Sequence, residues 1–392
     1  MNKTKIYHQL GFRYKWNFDS INIDNVGDGC IFSPRDIEHD EMIKLPNEIK
    51  EKSFFDPQFY IPNSSKRKLN TYNFFPNNIL NSSYSTISYE EQCYNSASEC
   101  INFQLKNKFK YITIPTYDFK NFDSSNLNKI DSLLTTPFIK KNKELNTFER
   151  PILLSIIADE IIINNEAYCD ELLTYITSVQ NIQGVYLIPK CSREGKRISN
   201  TEYIFNLLKF IYYLKYNNLE VHVGYSDIEG LLLTLSNVDS ISVGIYENVR
   251  HFNSEKFIDN DSQARPPHAR LFSSQLLQWI DYGYIGAIKR KVKDINNIFD
   301  QTSYNLEMFE SSYKWHFTKS APYMHYFISF SNLINVLPNT YDERYDFLCN
   351  KLNSALKLFD SLSIPFDKDS NGNHLNFWLT SINSFNDFLK NW

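Results

Sequence analysis

The sequence predicts an α/β protein: a (β/α)8 barrel of the TIM type, followed by a helical C-terminal region. Two observations carry this expectation. From Pro151 onward, short continuous apolar runs alternate with amphipathic segments of helical period, the pattern of parallel strands buried on both faces between helices. Nearly every one of those runs also ends in polar, chemically capable side chains, as strands do when their C-terminal ends converge on the open face of a barrel.

The regular part reads element by element. PILLSIIAD (151–159) is a strand, AYCDELLTYITSVQ (167–180) a helix, and GVYLIPK (184–190) the next strand. The helix TEYIFNLLKFIYYLKY (201–216) follows, then the strand LEVHVGY (219–225), the short helix DIEGLLLTLSN and the strand SISVGIY (240–246). Parallel strands joined this way need right-handed crossovers. The N-terminal third repeats the scheme less cleanly. GDGCIFSPR (27–35) contains a short strand, and a charged helical stretch runs to about Lys52. FFDPQFYIP (54–62) holds a second strand that ends before Pro57, because proline cannot donate to a central ladder. Residues 63–88, rich in Asn, Ser and Pro, read as a long loop. A helix over about 89–108 leads into YITIPTY (111–117), and a helical region extends to about Asn146.

Those segments make seven strands, and the eighth is expected at ARLFSS (269–274), which places the barrel at residues 20–285. Beyond about residue 286 the strand signals stop. Amphipathic helical segments fill 286–392, as a subdomain or as helices on the barrel wall. An open doubly wound sheet is the alternative. It would carry a Gly-rich phosphate loop, and none of the 11 glycines forms one.

Composition narrows the function classes. With 392 residues and a net charge of −4, the chain has no global basic field to draw it to nucleic acid. The basic runs at Lys66–Asn70 and Lys289–Lys293 are solvated surface or a local basic groove. The six cysteines form no C-x-x-C pair and show no zinc spacing with histidines, so no metal and no cofactor is expected. Without a secretory leader, scattered thiols fit the cytoplasm. No run approaches the roughly eighteen apolar residues of a membrane span, so no membrane partner is expected.

The strand ends carry the functional expectation. The catalytic candidates are Asp56, Asp159 and Glu247, since converging carboxylates suit acid/base or nucleophilic work at an anomeric carbon. Arg35, Lys190 and Arg250 offer donors for an anion, suited to phosphate. Tyr60, Tyr117 and Tyr225 offer flat faces for a sugar or base, Gln58 an orienting amide, and His222 a polar group within an apolar strand. Each has a plainer alternative. Asp227 reads as a helix N-cap, Asp56 as a turn former before Pro57, His222 as a core histidine, and Glu247 with Arg250 as a local pair. Of the adjacent carboxylates Asp159 and Glu160, strand alternation sends only one to the mouth, and Asp159 is the better placed.

SISVGIYENVRHF (240–252), a strand ending in a polar cluster with Arg250, resembles the late barrel segment of the tRNA-guanine transglycosylases. RLFSSQLLQWI (270–280) is similar to the segment after it in their divergent, bacterial defence-associated relatives. The resemblance, over about residues 150–285, implies a (β/α)8 barrel that exchanges a base on a nucleic acid through a nucleophilic aspartate. The chain carries neither that family's zinc-binding cysteine cluster nor its Gly-rich substrate loop, and GIYENVR offers Glu247 in place of the aspartate. Two functions are therefore expected in competition. One is an enzyme acting at a glycosidic or N-glycosidic bond of a nucleoside, nucleic acid or related phosphorylated ligand. The other is a non-catalytic barrel that binds protein partners through its aromatic-rich C-terminal helices. Asp56, Asp159, Lys190 and Glu247 around one open pocket would favour the first; a mouth plugged by the 63–88 loop would favour the second.

Overall fold

The computed structural model describes every residue except 2, 81–83, 120–122, 148, 149, 194, 259–266 and 392. Eight strands form the central sheet: β1 (Lys5–Gln9), β2 (Gly29–Phe32), β3 (Phe54–Phe55), β4 (Ile112–Ile114), β5 (Ile152–Asp159), β6 (Gly184–Lys190), β7 (Glu220–Val223) and β8 (Ser240–Val243). They lie in the order β3-β2-β1-β8-β7-β6-β5-β4, and every ladder is parallel. The two edge strands meet across a seam. Lys110 N donates to the Ser53 carbonyl at 2.8 Å below it, and Asp118 N to the Tyr60 carbonyl at 2.9 Å above it. The protein is thus a nearly closed α/β barrel of the TIM type. Pro57, two residues after the end of β3, removes the donor that would extend the ladder beyond Asp56, which is why that strand is two residues long.

Two elements differ from the sequence reading. The first barrel strand is KIYHQ, β1, between β2 and β8, so the barrel begins at Lys5. The expected eighth strand, 269–274, lies outside the barrel. It supplies β9 (Arg270–Ser273), which pairs antiparallel with β10 (Gln278–Asp281) in a separate hairpin.

Register sets what fills the barrel. Ser155, Tyr186, His222 and Ser240 are successive register partners across β5 to β8. At the base, the His222 ring packs among Tyr7, Phe54 and Tyr111, with ring centroids 5.1 to 6.1 Å apart. Above it Tyr186 crosses the lumen, its hydroxyl 3.4 Å from both Gln9 Oε1 and Asp56 Oδ2. Large side chains from some strands are accommodated by small ones on others, the usual way a barrel core closes without a pore. Gly224 is one such position: a Cβ there would sit 2.4 Å from the Tyr186 hydroxyl.

Outside the sheet run α1 (Lys15–Asn22), α2 (Thr86–Lys106), α3 (Glu166–Ser178) and α4 (Thr201–Tyr216), then α5 (Ala321–Asn335), α6 (Tyr341–Leu362) and α7 (His374–Asn391). The last three pack on the barrel wall. Trp378 of α7 donates its indole N–H to the Ile198 carbonyl at 2.8 Å. Arg344 of α6, buried, gives Nη1 to the Thr234 carbonyl at 3.0 Å. The hairpin seats Trp279 and Phe272 against Tyr326 of α5. Among the described residues, no helix is long and apolar enough to cross a membrane. Because Tyr186 is held in the lumen by Gln9 and Asp56, Gly224→Ala forces it off its partners. Overpacking of this kind costs about 1–3 kcal/mol, and urea denaturation of the variant should show that loss.

Candidate active site

A pocket of about 470 Å³ opens at the C-terminal ends of β5 and β6 and under the segment after β8. Asp159, Glu160, Lys190, Arg193, Glu247 and His251 are among its lining residues. Asp159 and Lys190 are register partners at the last rung of the β5–β6 ladder. Lys190 Nζ lies 2.9 Å from Asp159 Oδ2 and 2.7 Å from Asp118 Oδ1. Burial works against that ammonium, but its hydrogen bonds to Asp118 and Asp159 outweigh it and hold its pKa above the ordinary lysine value. Asp159 also caps the short turn after β5, its Oδ1 accepting from Ile161 N at 2.9 Å.

Glu160 turns toward the loop after β6. Its carboxylate accepts from Ser192 N at 3.0 Å, from Ser192 Oγ at 2.7 Å and from Asn200 Nδ2 at 2.5 Å. Glu247 pairs with Lys196 of the same loop. Burial raises both acids, but Ser192 for Glu160 and Lys196 for Glu247 outweigh it and hold them below the usual carboxylate range. Burial, then the Arg193 guanidinium, push His251 down to about 2. The pocket keeps Lys190, Glu160 and Glu247 charged and His251 uncharged across neutral pH.

The barrel axis is filled. Asp56 is buried at the end of β3, where Oδ1 accepts from Gln58 N at 3.0 Å and Oδ2 from the Tyr60 hydroxyl at 2.7 Å. Gln58 is fully engaged: its Oε1 accepts from Ser33 Oγ at 3.0 Å and Arg35 N at 3.1 Å, and its Nε2 donates to the Tyr225 hydroxyl at 3.2 Å. Over this network the segment after β8 lays Phe252, Lys256 and Phe257. Phe252 and Phe257 pack on Tyr60 at 4.9 and 5.1 Å, and Lys256 Nζ sits 4.0 Å above the Tyr225 ring. Ser64 Oγ donates to the Phe257 carbonyl at 2.5 Å, and Arg35 Nε to the Lys256 carbonyl at 2.8 Å. The 252–257 segment, not the 63–88 loop, therefore covers the axis; Ser64 of that loop pins it, and residues 81–83 lie outside the described residues. Burial lifts Asp56 to about 6, and burial followed by Arg35 lowers Lys256 to about 7. Gln58, Tyr225 and Asp227, all at strand ends, adopt φ of +57°, +50° and +43°, a conformation that costs a non-glycine residue about 1–3 kcal/mol.

Beside the axis, Arg197 bridges Asp227 at 2.8 Å and Glu229 at 2.9 Å. The Tyr326 hydroxyl donates to Asp227 at 2.8 Å, and the Arg250 guanidinium lies 4.0 Å over the Trp279 ring, 3.9 Å from Asp227.

Of the candidates, Asp159, Lys190 and Glu247 line one open pocket. Asp56, Gln58, Tyr60 and Tyr225 come together as well, but beneath the aromatic cover. Arg35 pins that cover, and Arg250 faces the hairpin, not Glu247. His222 belongs to the barrel base, its ring nitrogens on Ser240 Oγ at 2.8 Å and Glu220 Oε2 at 3.1 Å. Asp227 is an ion-pair acceptor with no cap bond of its own. The residues that sequence reasoning passed over are Asp118 as a partner of Lys190, and Arg193, Lys196 and Arg197. The last three sit in SREGKR, whose basic density directly after a strand end was the available signal. Among the described residues, no group of three or more His, Cys, Asp or Glu side chains is placed to hold a metal ion.

Two outcomes test this geometry. Lys190→Met strands Asp118, and since the triad is partly solvated the loss should be about 1–3 kcal/mol. In a double-mutant cycle, Asp118→Asn should recover part of it; additive losses in denaturation would show the two are not coupled. Asp56, with a raised pKa, resists ionisation in the fold. Wild type therefore loses stability on its account as pH rises from about 4 through about 6, and Asp56→Asn does not. Between about pH 4 and about pH 8 the stability difference should move toward the variant by on the order of 3 kcal/mol. A difference that stays flat in urea titrations would contradict the buried, protonatable carboxyl.

Comparison of the chain with family models gives no match, and comparison with curated proteins gives none either.

Proposed function

We propose that the protein is a barrel enzyme acting at a glycosidic or N-glycosidic bond of a nucleoside, a nucleic acid or a related phosphorylated ligand, in the manner of the tRNA-guanine transglycosylases. One observation carries this reading: Asp159 and Glu247, from the ends of β5 and β8, line the same open pocket with Lys190 and Arg193. Carboxylates that remain ionised stabilise positive charge at an anomeric carbon, or attack it, while fixed cations hold the anionic part of the substrate. Glu247 is the carboxylate we assign to the anomeric carbon, because it stands in the stretch where the enzymes it resembles carry their nucleophile. Asp159, shared with Lys190, orients the ligand.

The pKa shifts narrow the leaving group. Those at Lys190, Glu160, Glu247 and His251 all run away from neutrality, so these groups hold charge in place and are poor proton shuttles at neutral pH. A leaving group of low basicity, such as a nucleobase or a phosphate, suits a site of that kind better than a sugar alcohol does.

The filled axis supports a second reading, a barrel that binds partners without chemistry. Phe252 and Phe257 occupy the place over Tyr60 where a ligand on the axis would sit. Chromatographic assay of base release from nucleotides and from total RNA separates the two. Wild type should release product, and Glu247→Gln should slow release by about 100-fold or more. The change in melting temperature should be small, because the Lys196–Glu247 pair is half-exposed. Product release by Glu247→Gln at the wild-type rate would overturn the assignment of Glu247, and no release by wild type from any of these ligands would favour the binding role.

A further inference from the structure

A second, larger cleft of about 930 Å³ lies between the loop after β6 and the start of α7. It adjoins the first, since Ser192 and Arg193 line both. The first turns of two long helices open on it: Asn200 and Thr201 at the head of α4, and Asn373 and His374 at the head of α7. Helix N-termini present unpaired backbone N–H groups and a positive dipole end.

The side chains beneath point the same way independently. Arg193 and Arg197 line the cleft with side chains only 9% and 5% exposed. Each has a buried Nε without a hydrogen-bond partner among the described residues. Their other contacts are to acids and one carbonyl: Arg193 Nη1 donates to the Lys196 carbonyl at 3.1 Å and lies 3.5 Å from Glu229, which Arg197 shares. Asp227 and Glu229 are shared by three guanidiniums: those two and Arg250, which stands outside the cleft over Trp279. The same field acts on His374, which burial and then Arg197 push down to about 3. Lys368 adds an exposed ammonium at the rim, and Glu202 is the single acid among the described lining residues.

We propose that this cleft is a phosphate-binding subsite for the phosphoester of a nucleotide, free or within a strand, whose glycosidic bond lies in the adjoining pocket. The placement of the glycosidic bond rests on the function proposed above; the phosphate subsite stands on the cleft alone. Arg193, common to both cavities, marks where the phosphate end meets the sugar end.

Isothermal titration of the full chain with inorganic pyrophosphate tests the subsite. Wild type should bind, and removing a charge-assisted contact should weaken binding by about tenfold or more. Lys368→Ala, at an exposed position that leaves the fold intact, and Arg193→Gln are the two variants. Lys106→Ala, at an exposed position in the last turn of α2, should bind pyrophosphate within about twofold of wild type. Absent binding by wild type, or equal binding by Lys368→Ala and Arg193→Gln, would overturn the subsite. Parallel titrations with ADP and a short single-stranded RNA identify the source. ADP binding at least as tightly as pyrophosphate assigns a free nucleotide, and tighter RNA binding with a steep salt dependence assigns a strand. Pyrophosphate binding without bond cleavage keeps the subsite and removes the glycosidic reading. Cleavage with unchanged KM in both variants removes the subsite and keeps the reading.

Discussion

The buried contact of Arg197 with Asp227 and Glu229 is the interaction on which the functional face depends. It joins the loop after β6 to the turn after β7, and Tyr326 and Arg250 extend it to α5 and to the hairpin. A buried ion pair gives little net stability over an apolar equivalent, yet removing one partner is expensive because the other is left charged and dry. Such a network therefore fixes position more than it adds stability. Here it fixes the loop that carries Arg193, Lys196 and Ser192, and that loop forms the wall between the two cavities.

The second constraint is the lumen. Tyr7, Phe54, Tyr111 and Tyr186 are too large to leave room for a ligand on the axis, and Phe252 with Phe257 closes the remaining space above Asp56. Open space at the C-terminal face is displaced to the β5–β6–β8 side, where Ser192, Glu160 and Glu247 line it beside Phe252. The buried Asp56 and the half-buried Lys256 illustrate what the aromatic cover does electrostatically. Burial shifts the acid up and the base down, so their acidities approach each other around neutrality. Groups tuned in opposite directions usually mark chemistry, and here the acid lies under the aromatic cover while the base belongs to the cover itself.

What the sequence disclosed depended on how local the determining physics was. β5 and β6 are legible because eight and seven residues run continuously apolar to a polar end, and that end fixes Asp159 and Lys190 at the mouth. β1 is not, because KIYHQ is polar at two of its buried positions: His8 turns outward to Asn17 and the Val26 carbonyl, and Gln9 turns into the lumen. RLFSS reads as a barrel strand because a short apolar run does not reveal its partner; its pairing with QWID depends on the tight turn at Leu277, which adopts φ of +50°. Asp227 shows the same limit at the site. Ser-Asp before a helical run is what an N-cap looks like, and nothing local announces an arginine thirty residues earlier. His222 is ambiguous for a related reason, since four residues of strand do not say how deep in the barrel a side chain lies.

The basic loop SREGKR is where those limits meet. Read along the chain it is a solvated turn; folded, it places one guanidinium between two buried carboxylates, one ammonium on Glu247 and one guanidinium at the junction of both cavities. The carboxylates that neutralise it come from the ends of β7 and β8, so the charge of the pocket is settled by strand order rather than by composition. A chain of net charge −4 thereby gathers Arg193, Arg197 and Lys368 along one cleft, with Asp227 and Glu229 behind the two arginines.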